Sequence, residues 1–114
     1  MSILFKSDKI YIKKSEKHGW GVFTNSIIKI DEIIEECPYV EIFGDIDYNL
    51  LKYTFMFEDS SVHFFFSCGI CSCLNSSINP NVSYSIDIDR GVITFKSIKD
   101  ILKDTELFLN YGFD

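Results

Sequence analysis

Short β-prone segments separated by turn residues run along the whole chain and constrain its fold more than any other feature. Pro38 ends one of them, because proline cannot donate a hydrogen bond to a strand ladder. Asp89-Arg-Gly91 reads as a hairpin turn between two others. We predict strands at residues 10–12, 21–24, 33–37, 39–42, 62–66, 82–88, 92–96 and 107–110.

Helical signals are few. Asp47 can cap a short helix that contains Leu50, Leu51, Tyr53 and Thr54 at helical spacing. Residues 67–74 are ambiguous and could form a helical turn. The sequence therefore predicts a β-rich fold, mostly β with short helices, built from small antiparallel sheets.

Size and charge limit the function classes. A chain of 114 residues is long enough for one domain, which we place at residues 1–114. The net charge of −6 argues against a nucleic-acid binder that neutralises phosphates, and it suits a basic partner. No apolar run approaches the ~20 residues that span a bilayer, and no signal peptide follows Met1. We therefore expect no membrane association, an intracellular location and reduced cysteines.

The four cysteines allow two readings. Cys68, Cys71 and Cys73 lie close together, and with the distant Cys37 they could form a tetrahedral zinc site. The spacing matches no paired C-x-x-C pattern, however, and apolar residues surround the cluster. Because free cysteine behaves as a small buried hydrophobe, we predict core packing and no metal.

Three further segments carry candidate functional residues. Gly19 and Gly21 flank Trp20, Asn75 precedes two serines, and Tyr111 follows the last predicted strand. Taken singly, each segment is more simply a turn or a core aromatic. Their order along the chain is what changes this interpretation.

In that order, the segments resemble the SET domain of protein lysine methyltransferases, from Ile10 to Asp114. Gly19-Trp-Gly-Val-Phe23 resembles the family's G-x-G-V-F/Y segment, and Asn75-Ser-Ser-Ile-Asn-Pro-Asn81 is similar to N-H-S-x-x-P-N. Asp104-Thr-Glu-Leu-Phe-Leu-Asn-Tyr-Gly112 resembles G-E-E-L-T-x-x-Y-G. The length looks most like that of the minimal stand-alone SET proteins of large DNA viruses, or of some bacteria.

The resemblance implies a cofactor, S-adenosylmethionine, in a surface pocket. Gly19, Trp20 and Gly21 would meet its methionine part. Asn75 would hold its amino group, and the backbone around Ser76 would meet the adenine. The Asn75 and Tyr111 segments would thread together as the family's C-terminal pseudoknot.

The resemblance also implies a substrate channel on the opposite face. Tyr111 would be the catalytic tyrosine where the channel meets the cofactor, and Tyr53 and Phe113 would line the channel. The substrate would be a lysine of a basic protein, such as a histone tail, which would place the protein in the nucleus. We considered Glu35, Glu36 and Glu41 as acidic residues at the channel mouth, with solvated surface as their alternative.

The chain departs from the family pattern at several positions. Ser76 stands where the motif has His, and Asp104-Thr105 replaces a Gly-Glu pair. No cysteine-rich post-SET segment precedes the end at Asp114, so a partner or a second subunit in a homodimer could complete the site. The alternatives are a degenerate SET-like module that binds a peptide or partner without catalysis, a zinc-stabilised domain, and a structural β domain.

Overall fold

The regular structure of the protein is almost entirely β-sheet. The computed structural model describes residues 3–44, 54–56 and 63–110. Within these residues it contains one short 3₁₀ helix, Ile70–Cys73, and nine strands. The strands are β1 (Ile10–Lys14), β2 (Trp20–Thr24), β3 (Ile33–Phe43), β4 (Thr54–Met56), β5 (His63–Ser67), β6 (Asn75–Ser76), β7 (Val82–Asp87), β8 (Val92–Ser97) and β9 (Glu106–Leu109). The β-rich prediction is confirmed.

The strands form two small sheets. One has the order β1-β2-β9-β6, and the other has the order β4-β5-β3-β8-β7. Neighbouring strands are antiparallel except for β6 and β9, which pair in parallel. Parallel strands need a long crossover connection, and residues 77–105 provide it. The antiparallel prediction is therefore wrong at this one pair.

The prediction that Pro38 ends a strand is wrong. β3 continues through it, but the strand changes partner there. Residues 33–38 of β3 pair with β8, and residues 39–43 pair with β5. The missing N–H therefore falls where one ladder gives way to the next, which is a position that tolerates proline. The Pro38 carbonyl still accepts a hydrogen bond from the Cys68 N–H at 3.0 Å.

The prediction of a short helix after Asp47 is wrong at the C-terminal end of that helix. Thr54 begins strand β4 and pairs with Phe66 of β5. The other residues of that prediction (Asp47, Leu50, Leu51 and Tyr53) lie outside the described residues. The ambiguous segment 67–74 contains the 3₁₀ helix, and the predicted β7–β8 hairpin is confirmed.

Aromatic and aliphatic side chains fill the core. Phe55, Phe65 and Phe95 are almost fully buried, and the Phe55 ring packs edge-on against Phe95 with centroids 5.7 Å apart. Such offset ring pairs contribute about 0.5–1.5 kcal/mol beyond the area they bury.

Three of the four cysteines belong to this core. Cys37 and Cys71 are buried, and the half-buried Cys73 packs against the core cluster to which they belong. Burial, with a hydrogen bond to Glu35, raises the pKa of Cys37 to about 12. The packing prediction is confirmed for these three residues and wrong for Cys68, which is exposed where the chain leaves β5.

Candidate functional site

The last described strand brings the motif segments together. β9 lies between β2 and β6, pairing Val22 with Leu107 on one side and Ser76 with Leu109 on the other. The Ser77 N–H extends the second contact by donating to the Leu109 carbonyl at 3.0 Å. Segments that are more than fifty residues apart in the sequence therefore meet along one short strand.

A cavity of about 220 Å³ opens beside this junction. Its walls come from the β1–β2 turn, from the 3₁₀ helix and from the start of β6. The lining residues are His18, Gly19, Trp20, Ser72, Cys73, Leu74 and Asn75. The Trp20 side chain is 56% exposed, and the Lys14 Nζ lies 4.6 Å from the centre of the indole.

The polar centre of this site is a hydrogen-bonded chain of side chains. Asn75 Nδ2 donates to Glu106 Oε2 at 2.8 Å, and Ser15 Oγ donates to Glu106 Oε1 at 2.7 Å. The backbone N–H of Lys17 donates to Ser15 Oγ at 3.0 Å. The carboxylate of Glu106 thus joins the β1–β2 turn to Asn75 on the wall of the cavity.

Comparison with known proteins identifies the fold. Residues 19–112 match the SET-domain family. A crystal structure of a Plasmodium falciparum protein, provisionally named a histone methyltransferase, matches with a TM-score of 0.77 and 34% identity. The match covers 95% of this chain and 96% of that one. No curated protein matches the chain in sequence.

The chain belongs to the SET-domain family. The predicted fold family is thereby confirmed, and family membership together with the structural neighbour supports a methyltransferase. The predicted resemblance to the minimal SET proteins of large DNA viruses stays a prediction.

The structure brings some of the predicted site residues of this SET domain to the cavity. Gly19, Trp20 and Asn75 line it, whereas Ser76 is half-buried and pairs with Leu109. Gly21 does not line it. A Cβ at that position would collide with the Glu106 carboxylate and lie 3.1 Å from the Ser15 Cβ. A side chain at position 21 would therefore force the Glu106 carboxylate out of its present position.

Three predicted residues lie outside the described residues, and their roles stay predictions. They are Tyr53, Tyr111 and Phe113. Two residues before Tyr111 in the sequence, Leu109 ends β9 against Ser76.

Asn81 is a structural residue of the site that sequence reasoning did not single out. It is buried, and its Nδ2 donates to the Glu106 carbonyl at 3.0 Å while its Oδ1 accepts from the Phe108 N–H at 2.7 Å. The carboxamide therefore pairs with β9 much as a neighbouring strand would. The sequence signal that could have identified it is its position as the last residue, after Pro80, of the segment similar to N-H-S-x-x-P-N.

Glu35 is not at a channel mouth, as the sequence had suggested. It is only 5% exposed, and its two carboxylate oxygens accept from the N–H groups of Ile70 at 3.1 Å and Cys71 at 2.8 Å. These groups begin the 3₁₀ helix, whose own first N–H groups have no partner within the helix. Glu35 therefore fixes the helix that forms one wall of the cavity.

The other two acidic candidates differ from each other. Glu36 accepts from Arg90 Nη1 at 2.8 Å and from the Phe5 N–H at 3.0 Å, and these hydrogen bonds lower its pKa. Glu41 is exposed on β3, opposite Phe65 of β5. Only Glu41 is a solvent-facing carboxylate of the kind that we had expected at a channel mouth.

Two further observations concern metals and membranes. Within residues 3–44, 54–56 and 63–110, no group of three or more His, Cys, Asp or Glu side chains could hold a metal ion. In the same residues, no helix is long and apolar enough to cross a membrane. The absence of zinc stays a prediction.

Proposed function

We propose that this SET domain is an S-adenosylmethionine-dependent protein lysine methyltransferase. The observation that carries the proposal is the cavity at the meeting point of the three motif segments, with the Asn75 carboxamide on its wall and Glu106 behind it. Family membership and the similarity to the Plasmodium falciparum protein support the reaction class.

The residues of the cavity suit the amino-acid end of the cofactor. Asn75 contributes a carboxamide and Trp20 an exposed indole. Gly19 has no side chain, and the space beside its backbone is free of other atoms. Sites for drug-sized ligands measure about 300–1,000 Å³, so a cavity of about 220 Å³ would enclose part of the cofactor. When bound, the cofactor supplies an electrophilic methyl group on a sulfonium.

A basic protein segment is the substrate class that the charge of the chain favours. The net charge of −6 would attract a Lys-rich peptide. We propose that this peptide is a histone tail and that the protein acts in the nucleus. The attacking lysine must be neutral, and the pKa of a free lysine side chain in water is about 10.4. We keep Tyr53 and Phe113 as channel residues and Tyr111 as the catalytic residue in this proposal.

Cofactor binding is the first test. Isothermal titration should show that S-adenosylmethionine and S-adenosylhomocysteine both bind. Asn75→Ala should weaken that binding by roughly 1.5–3 kcal/mol, because a hydrogen bond to a charged group is lost. Asn79→Ala, which truncates an exposed asparagine of the same loop, is the matched control and should bind as wild type does. Equal affinity of Asn75→Ala and wild type would refute the cofactor site.

Methyl transfer to a lysine peptide is the second test. Tyr111→Phe should lower the rate at least tenfold, about 1.4 kcal/mol of transition-state stabilisation, while the affinity for cofactor stays within a factor of about two. Tyr11→Phe removes a hydroxyl from strand β1 and should react as wild type does. Cofactor binding without transfer to any lysine peptide or histone would favour the non-catalytic binding module instead.

A further inference from the structure

The Asn75 carboxamide is held in one orientation by its neighbours. Both hydrogen bonds of its side chain use Nδ2, which donates to Glu106 Oε2 at 2.8 Å and to the Trp20 carbonyl at 3.5 Å. A carboxylate and a carbonyl only accept, so the amide nitrogen must face them. Among the residues that the structure describes, Asn75 Oδ1 has no hydrogen-bond partner. The end of Asn75 left for a ligand is therefore an acceptor.

Glu106 is itself fixed from several sides. Its backbone pairs with Phe23 in the sheet, and its carbonyl accepts from Asn81 Nδ2. Ser15 Oγ holds the second carboxylate oxygen, and the missing side chain of Gly21 leaves the space that the carboxylate fills. A carboxylate anchored in this way can set the orientation of Asn75 before any ligand arrives.

We propose that Glu106 is a positioning residue that presents Asn75 to the cavity as an acceptor and so selects ligands with a cationic amino group. The inference rests on the proposed function, since it concerns the amino-acid end of the cofactor. An ammonium group can only donate, so it needs the oxygen of Asn75 and would be repelled by its NH₂ group. The negative charge of Glu106, one hydrogen bond away, also favours a cation there.

The test compares two ligands on one variant. S-adenosylhomocysteine carries the ammonium group, whereas 5′-methylthioadenosine keeps the adenosine and the thioether without the amino-acid end. Glu106→Gln preserves the shape of the side chain, but its amide can donate to Asn75 Oδ1 and let the carboxamide flip. We expect at least a tenfold loss of affinity for S-adenosylhomocysteine and less than a twofold change for 5′-methylthioadenosine, both measured by calorimetry.

Two other variants separate orientation from folding. Glu16→Gln removes one negative charge from the exposed β1–β2 turn, and we expect affinities within twofold of wild type. The exchange variant Asn75→Asp with Glu106→Gln restores a donor facing an acceptor and keeps a carboxylate oxygen for the ligand. We expect it to recover most of the affinity for S-adenosylhomocysteine, even if Glu106→Gln alone melts at a lower temperature.

Each outcome decides the inference. If Glu106→Gln weakens both ligands equally, or if the exchange variant recovers nothing, Glu106 has only a structural role and the inference is overturned. If wild type binds both ligands and Glu106→Gln keeps full affinity for S-adenosylhomocysteine, the inference fails while the proposed cofactor site stands. If wild type binds neither ligand, both fail together.

Discussion

Glu35 links the stability of the fold to the shape of the site, and its replacement should reveal both. Its buried carboxylate accepts the N–H groups of Ile70 and Cys71 at the start of the 3₁₀ helix. Gly69 makes this approach possible, because a Cβ there would lie 2.8 Å from Glu35 Oε2 and collide with Cys37 Sγ. The same helix contributes Ser72 and Cys73 to the cavity wall.

The magnitude follows from the two backbone hydrogen bonds; the Cys37 thiol, a weaker donor, is bonded to the same carboxylate. Glu35→Gln keeps one acceptor oxygen and turns an NH₂ group toward the second backbone donor, so one charge-assisted bond of about 1.5–3 kcal/mol is lost. Glu35→Ala removes both acceptors, which doubles the expected loss to about 3–6 kcal/mol. Because small domains are stable by only about 5–15 kcal/mol, the alanine variant should be close to unfolding at 37 °C.

Urea unfolding followed by circular dichroism measures this loss, with Glu36→Gln as the matched control. Glu36 is the next residue on β3, but it pairs with Arg90 at the surface, so its replacement should cost less. Glu35→Gln should also weaken the binding of S-adenosylhomocysteine, because the helix at the cavity wall is less well held. Glu36→Gln should leave that binding unchanged.

Two results would refute the reasoning on Glu35. If Glu35→Gln and Glu36→Gln had the same urea midpoint, the buried carboxylate would not stabilise the helix. If Glu35→Gln were less stable but bound cofactor with unchanged affinity, the helix would not shape the site.

The remaining predictions concern thiols, pH and one turn. Native protein treated with iodoacetamide at pH 8 should be modified at the exposed Cys68 and spared at Cys37, because burial raises the pKa of the Cys37 thiol to about 12. Mass spectrometry measures both labels, and early labelling of Cys37 would contradict this prediction. The hydrogen bond from Arg90 lowers the pKa of Glu36 from its ordinary value of 4.5, so its stabilising effect is present above pH 4.5 and lost as the pH falls through the folded pKa. Urea midpoints from pH 7 to pH 3 should therefore fall less steeply for Glu36→Gln, and identical slopes would contradict the assignment. Asp104 has φ 64°, so Asp104→Ala should cost about 1 kcal/mol in thermal unfolding and Asp104→Gly should not; equal losses would show that the backbone conformation is not the cause.

Local patterns were sufficient to predict most strands and the β7–β8 hairpin. β-prone residues between turn residues place β1, β2, β5 and β8 within about two residues, which is as well as boundaries can be predicted. Pro38 was misread because its effect depends on which neighbour a strand has at that residue. The change of partner from β8 to β5 is a property of the sheet, and no local pattern carries it.

The candidate site shows the same limit more clearly. The order of the motifs identified Gly19, Trp20 and Asn75 as candidate site residues, and all three line the same cavity in the structure. Nothing in the local sequence distinguishes Glu35, which is buried, from Glu36, which forms a surface ion pair. Adjacent residues on a strand point to opposite faces, so the difference depends on which face meets the 3₁₀ helix.

Glu106 extends this argument from structure to function. Glu106 belongs to the matched segment Asp104–Gly112, but the sequence assigned it no role beyond that of a charged residue at the start of a strand. Antiparallel pairing of β9 with β2 brings the Glu106 side chain against Gly21, and parallel pairing of β9 with β6 brings that side chain within hydrogen-bond distance of Asn75. Its role therefore exists only where two strands from distant parts of the chain share β9. For the same reason, motif matching assigned roles to the residues that would touch a ligand and assigned none to Glu106, which would orient one of them.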